Sequence, residues 1–351
     1  MTHGRSEIVS SLEAVRGNWA ELAQESRNIF STWEWASTWW RHYGEGLTPL
    51  VVVRRGPAGD VAALLPLYVW SRRPLRVARF IGHGPADQLG PVCAPAEHES
   101  VAAALRQAAM QARLDLVLAE LLPGAEGWRD VLREKPLFAE ASPILRLDRG
   151  WDGYLEGRSP NFRQQVRRRE RNLERQHAVR FRLAVDADRL QDDMTLLFEL
   201  HRARWASGSA FTRWQPFHRD FAASALERGW LRLWFLELDD RPMAAWYGFR
   251  FAGVESYYQA GRDPAAGEEA VGSVLLAHSI REAAADGMRE YRLLRGAESF
   301  KLRFAEADPG VETFALARGV TGRAARIAAG LGLRSATVRS TLRRLARGAE
   351  S

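Results

Sequence analysis

Residues 230–260 read WLRLWFLELDDRPMAAWYGFRFAGVESYYQA. Runs rich in aromatic and branched residues at 230–238, 242–251 and 254–260 flank the Asp239-Asp240 turn, which predicts an antiparallel three-stranded meander. A helix near 272–286 and a strand at 289–294 (REYRLL) follow, giving the order β-β-β-α-β. The first half has the same grammar. Apolar runs at 49–55, 60–70 and 75–82 are broken by Gly-Pro-Ala-Gly and Ser-Arg-Arg-Pro. A helix over 97–113 then carries Val101, Leu105 and Ala108 on one face, and LDLVLAELL at 114–122 reads as a strand. Each half sets an acidic turn before an alanine-containing strand, Asp60-Val-Ala-Ala in one and Arg241-Pro-Met-Ala-Ala in the other. The sequence thus predicts an internal duplication of mixed, mostly antiparallel sheets flanked by helices, an α/β (α+β) chain of two tandem modules.

Between the halves, Ser159 followed by Pro160 is an N-cap with proline at the first helical position. Arginines fill most faces of that helix through Arg175, and Phe162, Val166 and Leu173 leave a narrow apolar stripe, so it should lie on the surface. A second helix over 189–205 carries Leu190, Met194, Leu197 and Leu200 and ends at Ser-Gly-Ser, 207–209. Past Arg318, residues Val320, Ile327, Leu331, Val338, Leu342 and Leu345 form one helical stripe with arginines opposite, broken near Gly330 and Gly332. This tail suits docking on its own protein, on a protein partner or on an anionic membrane surface. The expected domains are 1–148, 149–317 and a basic tail at 318–351.

A length of 351 residues fits two cores plus an appendage. The net charge of +7 is unevenly placed: Arg158–Arg182 and Arg318–Ser351 each carry a local excess of seven positive charges, so the remainder balances to −7. That pattern argues against a uniformly basic nucleic-acid binder and leaves two local basic surfaces to explain. No run approaches the roughly 20 apolar residues of a membrane span, and Met1–Asn18 lacks a signal-peptide core, which predicts a cytoplasmic protein. Cys93 is the only cysteine, excluding an internal disulfide, and the eight histidines show no metal-ligand spacing. Only Lys135 and Lys301 are lysines, so Lys301 stands out against an arginine-rich background.

The strand-loop-helix junction at 260–280 is the predicted ligand site. Gly272, Ser273 and Val274 open a helix whose free amides and positive dipole end suit a pyrophosphate. Gly82-His83-Gly84 imitates the start of a dinucleotide fingerprint, but the third glycine is missing and no helix begins there, so a Rossmann site is rejected. Asp87 in GPADQLG is instead a candidate for an amine-binding cleft, with His201 and Arg204 as further substrate-binding candidates.

The stretch LELDDRPMAAWYGFRFAGVESYYQAGRDP with GSVLLAHSIREAAADGMREYRLLRGAESFKLRF resembles GNAT-superfamily acetyltransferases of the CelD/BioF-like type, associated with bacterial polysaccharide biosynthesis and related to the FemAB aminoacyltransferases. The resemblance spans about 150–315, and the first half is compatible with a degenerate amino-terminal module. Family members commonly read Asp-Phe-Leu-Arg-Gly-x-Glu-x-Tyr-Lys at LRGAESFK. Leu294, Arg295, Gly296, Glu298 and Lys301 match, while Arg292 and Phe300 replace the aspartate and the tyrosine.

The resemblance implies an amine attacking an acyl-CoA thioester directly, with acyl-CoA as co-substrate and no metal. Such chemistry wants a proton acceptor near the amine and a proton donor or cation near the leaving thiolate. Glu298 is the candidate base, Tyr258 the candidate acid, and Lys301 the stabilising cation. The bland alternative for Glu298 and Lys301, at i, i+3, is a helix ion pair. Tyr257 and Tyr258 should face opposite sides of a strand, so only one can reach a cleft. The implied function is N-acyl transfer to a small-molecule or saccharide amine. Two alternatives are a catalytically silent scaffold that binds an anionic partner, and FemAB-like transfer from charged tRNA using the arginine helix for phosphate contacts.

Overall fold

The computed structural model describes residues 5–72, 75–205, 209–267 and 269–331. Two compact units divide the chain, one of residues 1–26, 30–140 and 310–351, the other of 27–29 and 141–309.

The first unit runs β1 (Ser6–Val9), α1 (Arg16–Ser26), α2 (Trp33–Tyr43), β2 (Thr48–Arg55), β3 (Val61–Arg72), β4 (Leu75–Phe80), β5 (Val92–Cys93), α3 (His98–Gln111), β6 (Leu116–Pro123), α4 (Trp128–Leu132) and β7 (Phe138–Glu140). The second runs β8 (Ile144–Arg146), α5 (Gly150–Glu156), α6 (Pro160–Gln176), β9 (Val179–Leu183), α7 (Leu190–Arg204), α8 (Gln215–Glu227), β10 (Leu231–Leu238), β11 (Arg241–Phe251), β12 (Val254–Arg262), α9 (Val271–Ala285), β13 (Glu290–Arg292) and α10 (Ser299–Phe304). The chain then returns to the first sheet as β14 (Val311–Ala317).

Both meanders form as read from the sequence. The first sheet is ordered β1-β2-β3-β4-β6-β14-β7 with β5 on β3, and the second β8-β13-β12-β11-β10-β9. In each, three antiparallel strands are followed by a helix and a strand that pairs parallel to the third: β4 with β6, and β12 with β13. The shared order makes the fold a mixed α/β duplication.

β11 is buried along Met243–Phe249 because helices cover both faces of the second sheet. Trp246 and Tyr257 pack with Val271, Val274 and Leu275 of α9. On the other face, Tyr247, Phe249 and Tyr258 meet Phe211, His218 and Phe221 around α8. Side chains of this size contribute about 1.5–3 kcal/mol each on full burial. The arginine helix α6 is capped as read: Ser159 Oγ accepts from the Phe162 amide at 3.2 Å. Only Leu173 of its stripe is fully buried.

One domain boundary needs correction, and so does the face by which the tail docks. Residues 311–317, expected in the second domain, pair with β6 and β7 of the first sheet, so the second unit ends at residue 309. The tail is helical over residues 319–331, Gly330 included, and Gly332, the other expected break point, lies outside the described residues. It docks on its own unit through Gly322, where a Cβ would stand 2.1 Å from the Asp115 carbonyl, and through an Arg326–Glu134 ion pair of 2.8 Å. The expected stripe is not the docked face: Val320, Ile327 and Leu331 are 77%, 66% and 64% exposed. Val338, Leu342 and Leu345 lie outside the described residues. Among the described residues no helix is long and apolar enough to cross a membrane.

Candidate active site

β12 and β13 pair only over Val254–Ser256 and Glu290–Arg292. Beyond them β13 ends, and Leu294 takes a positive φ of 55° that turns the chain away. On its other side β12 stays paired with β11 to Arg262, but with a bulge: Gly248 faces Tyr257 and Tyr247 faces Gln259, so Tyr258 is the extra residue. From Tyr257 to Arg262 one edge of β12 therefore has no partner strand among the described residues.

A cavity of about 240 Å³ opens beside this edge. Ala260 and Gly261 line its middle, Gly267, Ala270, Gly272 and Ser273 one part, and Arg204, Tyr257 and Phe300 another. Ala270, at the N-cap of α9, adopts the left-handed conformation with φ 56°. Its carbonyl takes the amides of Ser273 and Val274 at 2.8 and 3.1 Å, leaving the earlier amides without helical acceptors. A Cβ at Gly272 would meet nothing within 4 Å, so a ligand can approach that backbone closely. Gly261 has the opposite constraint. Its Cβ would fall 2.3 Å from the His201 amide nitrogen and 2.4 Å from the Leu200 carbonyl carbon, because α7 crosses β12 there in backbone contact.

The predicted residues separate on inspection. Gly272, Ser273 and Arg204 line the cavity, whereas Val274 is in the core under α9. Of the two tyrosines it is Tyr257 that lines the cavity. Tyr258 lies on the opposite face, its hydroxyl 3.3 Å from His218 Nε2, so its expected place at the cleft is corrected. The bulge adds an extra residue at Tyr258, and the faces are set by which helices cover them. Burial pushes the Tyr257 phenol above the ordinary tyrosine value, and the neighbouring Arg204 guanidinium opposes that shift. Phe300 forms an apolar wall 6.0 Å from the Tyr257 ring, and the Arg204 guanidinium lies 5.4 Å over Phe300.

His201 is a second correction. It is 1% exposed and donates from Nδ1 to the Ala260 carbonyl at 3.0 Å, so it braces β12 from behind, and burial pushes its pKa down to about 4. Glu298 and Lys301 form an ion pair of 3.2 Å next to the cavity wall but do not line it. Lys301 is 5% exposed, donates to the Arg295 carbonyl, and lies 5.8 Å over the Tyr257 ring. Gly296, at φ 117°, lets the Glu298 carboxylate fold back: a Cβ there would stand 2.3 Å from Glu298 Oε2. Arg292, in the aspartate position, bonds Glu290 at 2.6 Å. Asp87 belongs to the first unit, in the loop after β4. Among the described residues no group of three or more His, Cys, Asp and Glu could hold a metal ion.

A polar latch that sequence reading missed ties the loop before α9. His177, just past α6, places Nδ1 2.7 Å from Asp239 and Nε2 3.2 Å from Glu269. Hydrogen bonding to Asp239 and then to Glu269 raises the imidazole pKa, and the same bond lowers that of Asp239. Because the folded value is raised, the contribution of the charged histidine is complete below its ordinary pKa and is lost as pH rises through the raised one. We expect the His177 ring resonances to titrate with a midpoint above about 6.5, and Asp239→Asn to lower it. An unshifted midpoint would show that the latch does not form in solution.

Comparisons with known proteins agree with this fold. Residues 160–302 match the family model described as an acetyltransferase (GNAT) domain. No curated protein matches the chain by sequence. Among solved structures, FemX aligns with 90% of this chain and 95% of its own at 11% identity and a TM-score of 0.61. The C-terminal domain of a putative lysylphosphatidylglycerol synthetase from Agrobacterium fabrum aligns with 93% of this chain and 96% of its own, at 12% identity and a TM-score of 0.59. A conserved protein of unknown function from Bacteroides thetaiotaomicron aligns with 90% of this chain and 100% of its own, at 13% identity and a TM-score of 0.58. At such identities the structural likeness speaks for the fold, and the sequence match speaks for the domain. From α6 into α10, the second unit is similar in sequence to the GNAT acetyltransferase domain.

Proposed function

We propose that the second unit is an acyl-CoA-dependent N-acyltransferase, of the CelD/BioF-like type, acting on an amine of a small molecule or saccharide precursor. The observation that carries this reading is the unpartnered β12 edge leading to the open start of α9. Pantetheine amides would add to that edge as a strand does. The pyrophosphate would accept from the first amides of α9 at Gly272. The thioester then lies toward Tyr257, Arg204 and Phe300.

In this reading a neutral amine attacks the thioester carbon, forming the C–N bond. The tetrahedral adduct collapses with cleavage of the C–S bond, the departing thiolate takes the Tyr257 proton, and the proton lost by the acylated nitrogen passes through solvent in the open cavity to restore the phenol. The raised phenol pKa keeps that proton in place at neutral pH. Arg204 offsets developing negative charge. Glu298 and Lys301 hold Tyr257 from behind as positioning residues, in place of the base and cation roles read from the sequence motif. Acyl-CoA is a cytoplasmic donor, and the basic tail would bring the enzyme to an anionic membrane surface or a protein partner.

Calorimetric titration with CoA, followed by acyl transfer to a panel of amines, tests the assignment. Gly272→Glu places a carboxylate where phosphate oxygens would sit, so CoA affinity should fall at least about tenfold, or ~1.4 kcal/mol, with the melting temperature retained. Unchanged CoA binding by a folded variant would move the site elsewhere. Transfer supported by charged tRNA and not by acyl-CoA would replace the donor with the FemAB-like one. CoA binding with no transfer to any amine would favour the silent scaffold.

A further inference from the structure

A second groove, of about 660 Å³, lies between α6 and the loop before α9. It shares Gly267 and Ala270 with the first cavity, so the two adjoin across that loop. Arg168, Arg169, Asn172 and Gln176 of α6 supply its polar wall.

Among the described residues, the arginine charge in this groove has no paired carboxylate. Glu269 lines it, but is taken by His177 at 3.2 Å; Glu170, on the same helix, is taken by Arg281 at 3.0 Å. No carboxylate lies within ion-pair distance of Arg168 or Arg169 among the described residues. The pKa of Arg169 is instead lowered, first by burial and then by Arg303 and Arg168. Arg168 and Arg169, side by side on the groove wall without a paired carboxylate, are the donor chemistry that binds a phosphate.

We propose that this groove holds the 3′-phosphorylated adenosine end of CoA, with Arg168 and Arg169 carrying its 3′-phosphate. The inference rests on the acyl-CoA reading above and extends it past the pyrophosphate. Two features favour a nucleotide-sized anion over a polynucleotide. The groove has the volume of a small-molecule pocket and adjoins the donor cavity at Gly267 and Ala270. It also offers no ring on which successive bases would stack, since the one aromatic residue of α6, Phe162, packs edge-on against Phe304 at 5.1 Å.

The test compares CoA with 3′-dephospho-CoA by calorimetry on the full chain and on Arg168→Gln/Arg169→Gln. The intact protein should bind CoA about tenfold more tightly than the dephosphorylated form. The double variant should bind both alike, having lost about tenfold toward CoA and less than about twofold toward dephospho-CoA. Substitutions on this exposed face should leave the melting temperature in place, which separates lost contact from lost fold. Equal affinities in the intact protein, or equal losses for both ligands in the variant, would overturn the subsite while leaving the donor assignment standing. Binding of neither ligand by the intact protein would remove the donor assignment, and the subsite with it. Competition with CoA by an acceptor-stem RNA, seen in the intact protein and abolished in the variant, would assign the arginines to a polynucleotide instead.

Discussion

Replacing Tyr257 by phenylalanine is expected to lower acyl transfer by roughly 10²- to 10⁴-fold, the range of a general acid, with CoA affinity little changed. Tyr257 is the phenol among the described residues that line the cavity, and its raised pKa keeps it protonated past neutral pH. Turnover in the intact enzyme should therefore fall at the alkaline end, and the phenylalanine variant should lose that limb of its pH profile. Tyr258→Phe is the matched control. Its hydroxyl lies 3.3 Å from His218 on the other face, so removing it should cost about 1 kcal/mol of stability and little activity. Glu298→Gln separates the roles further. A positioning carboxylate would alter kcat modestly without removing the alkaline limb, whereas a base accepting the amine proton would shift the acidic limb. Full activity of Tyr257→Phe would dismiss the phenol as proton donor.

What the sequence discloses follows from how local each feature is. The meander at 230–260, the cap at Ser159 and the helix opened by Gly272 are written in neighbouring residues, and all three form. The choice between Tyr257 and Tyr258 is not local. Period-two alternation says the pair must diverge, but which face is the cleft depends on where α7, α8 and α9 pack, and the bulge at Tyr258 perturbs the period itself. His201 and Arg204 show the same limit: three residues apart at one helix end, one is sealed against Ala260 while the other borders the cavity. The return of residues 311–317 to the first sheet is a long-range pairing, and VETFALA carries no mark of which sheet it will join. The tail misled for a different reason. Its docked side uses glycine, alanine and an ion pair, so Val320, Ile327 and Leu331, which a periodicity count picks out, are the exposed residues.

Gly261 links the stability of the second unit to its chemistry, and its replacement by alanine should be strongly destabilising. The added methyl would stand 2.3 and 2.4 Å from backbone atoms of His201 and Leu200, and a helix backbone cannot yield as a side-chain tip can. Overpacking of this kind costs about 1–3 kcal/mol and sometimes more, which corresponds to roughly 2–4 °C in melting temperature per kcal/mol for a unit of this size. Gly272→Ala controls for the loss of a glycine as such. Its methyl meets nothing within 4 Å and it sits inside a helix, so stability should stay level or rise by up to about 1 kcal/mol. The strain should also reach the site. To admit the methyl, α7 must lift from β12, carrying Arg204 at its last turn away from Tyr257 and Phe300. Gly261→Ala should then lower kcat/KM even below its melting transition, in step with a weakened Nδ1 bond from His201 to the Ala260 carbonyl that histidine NMR can follow. A variant that melts like the parent and keeps full activity would mean that the crossing of α7 over β12 is looser than a backbone contact, and the placement of Arg204 beside Tyr257 would lose its support.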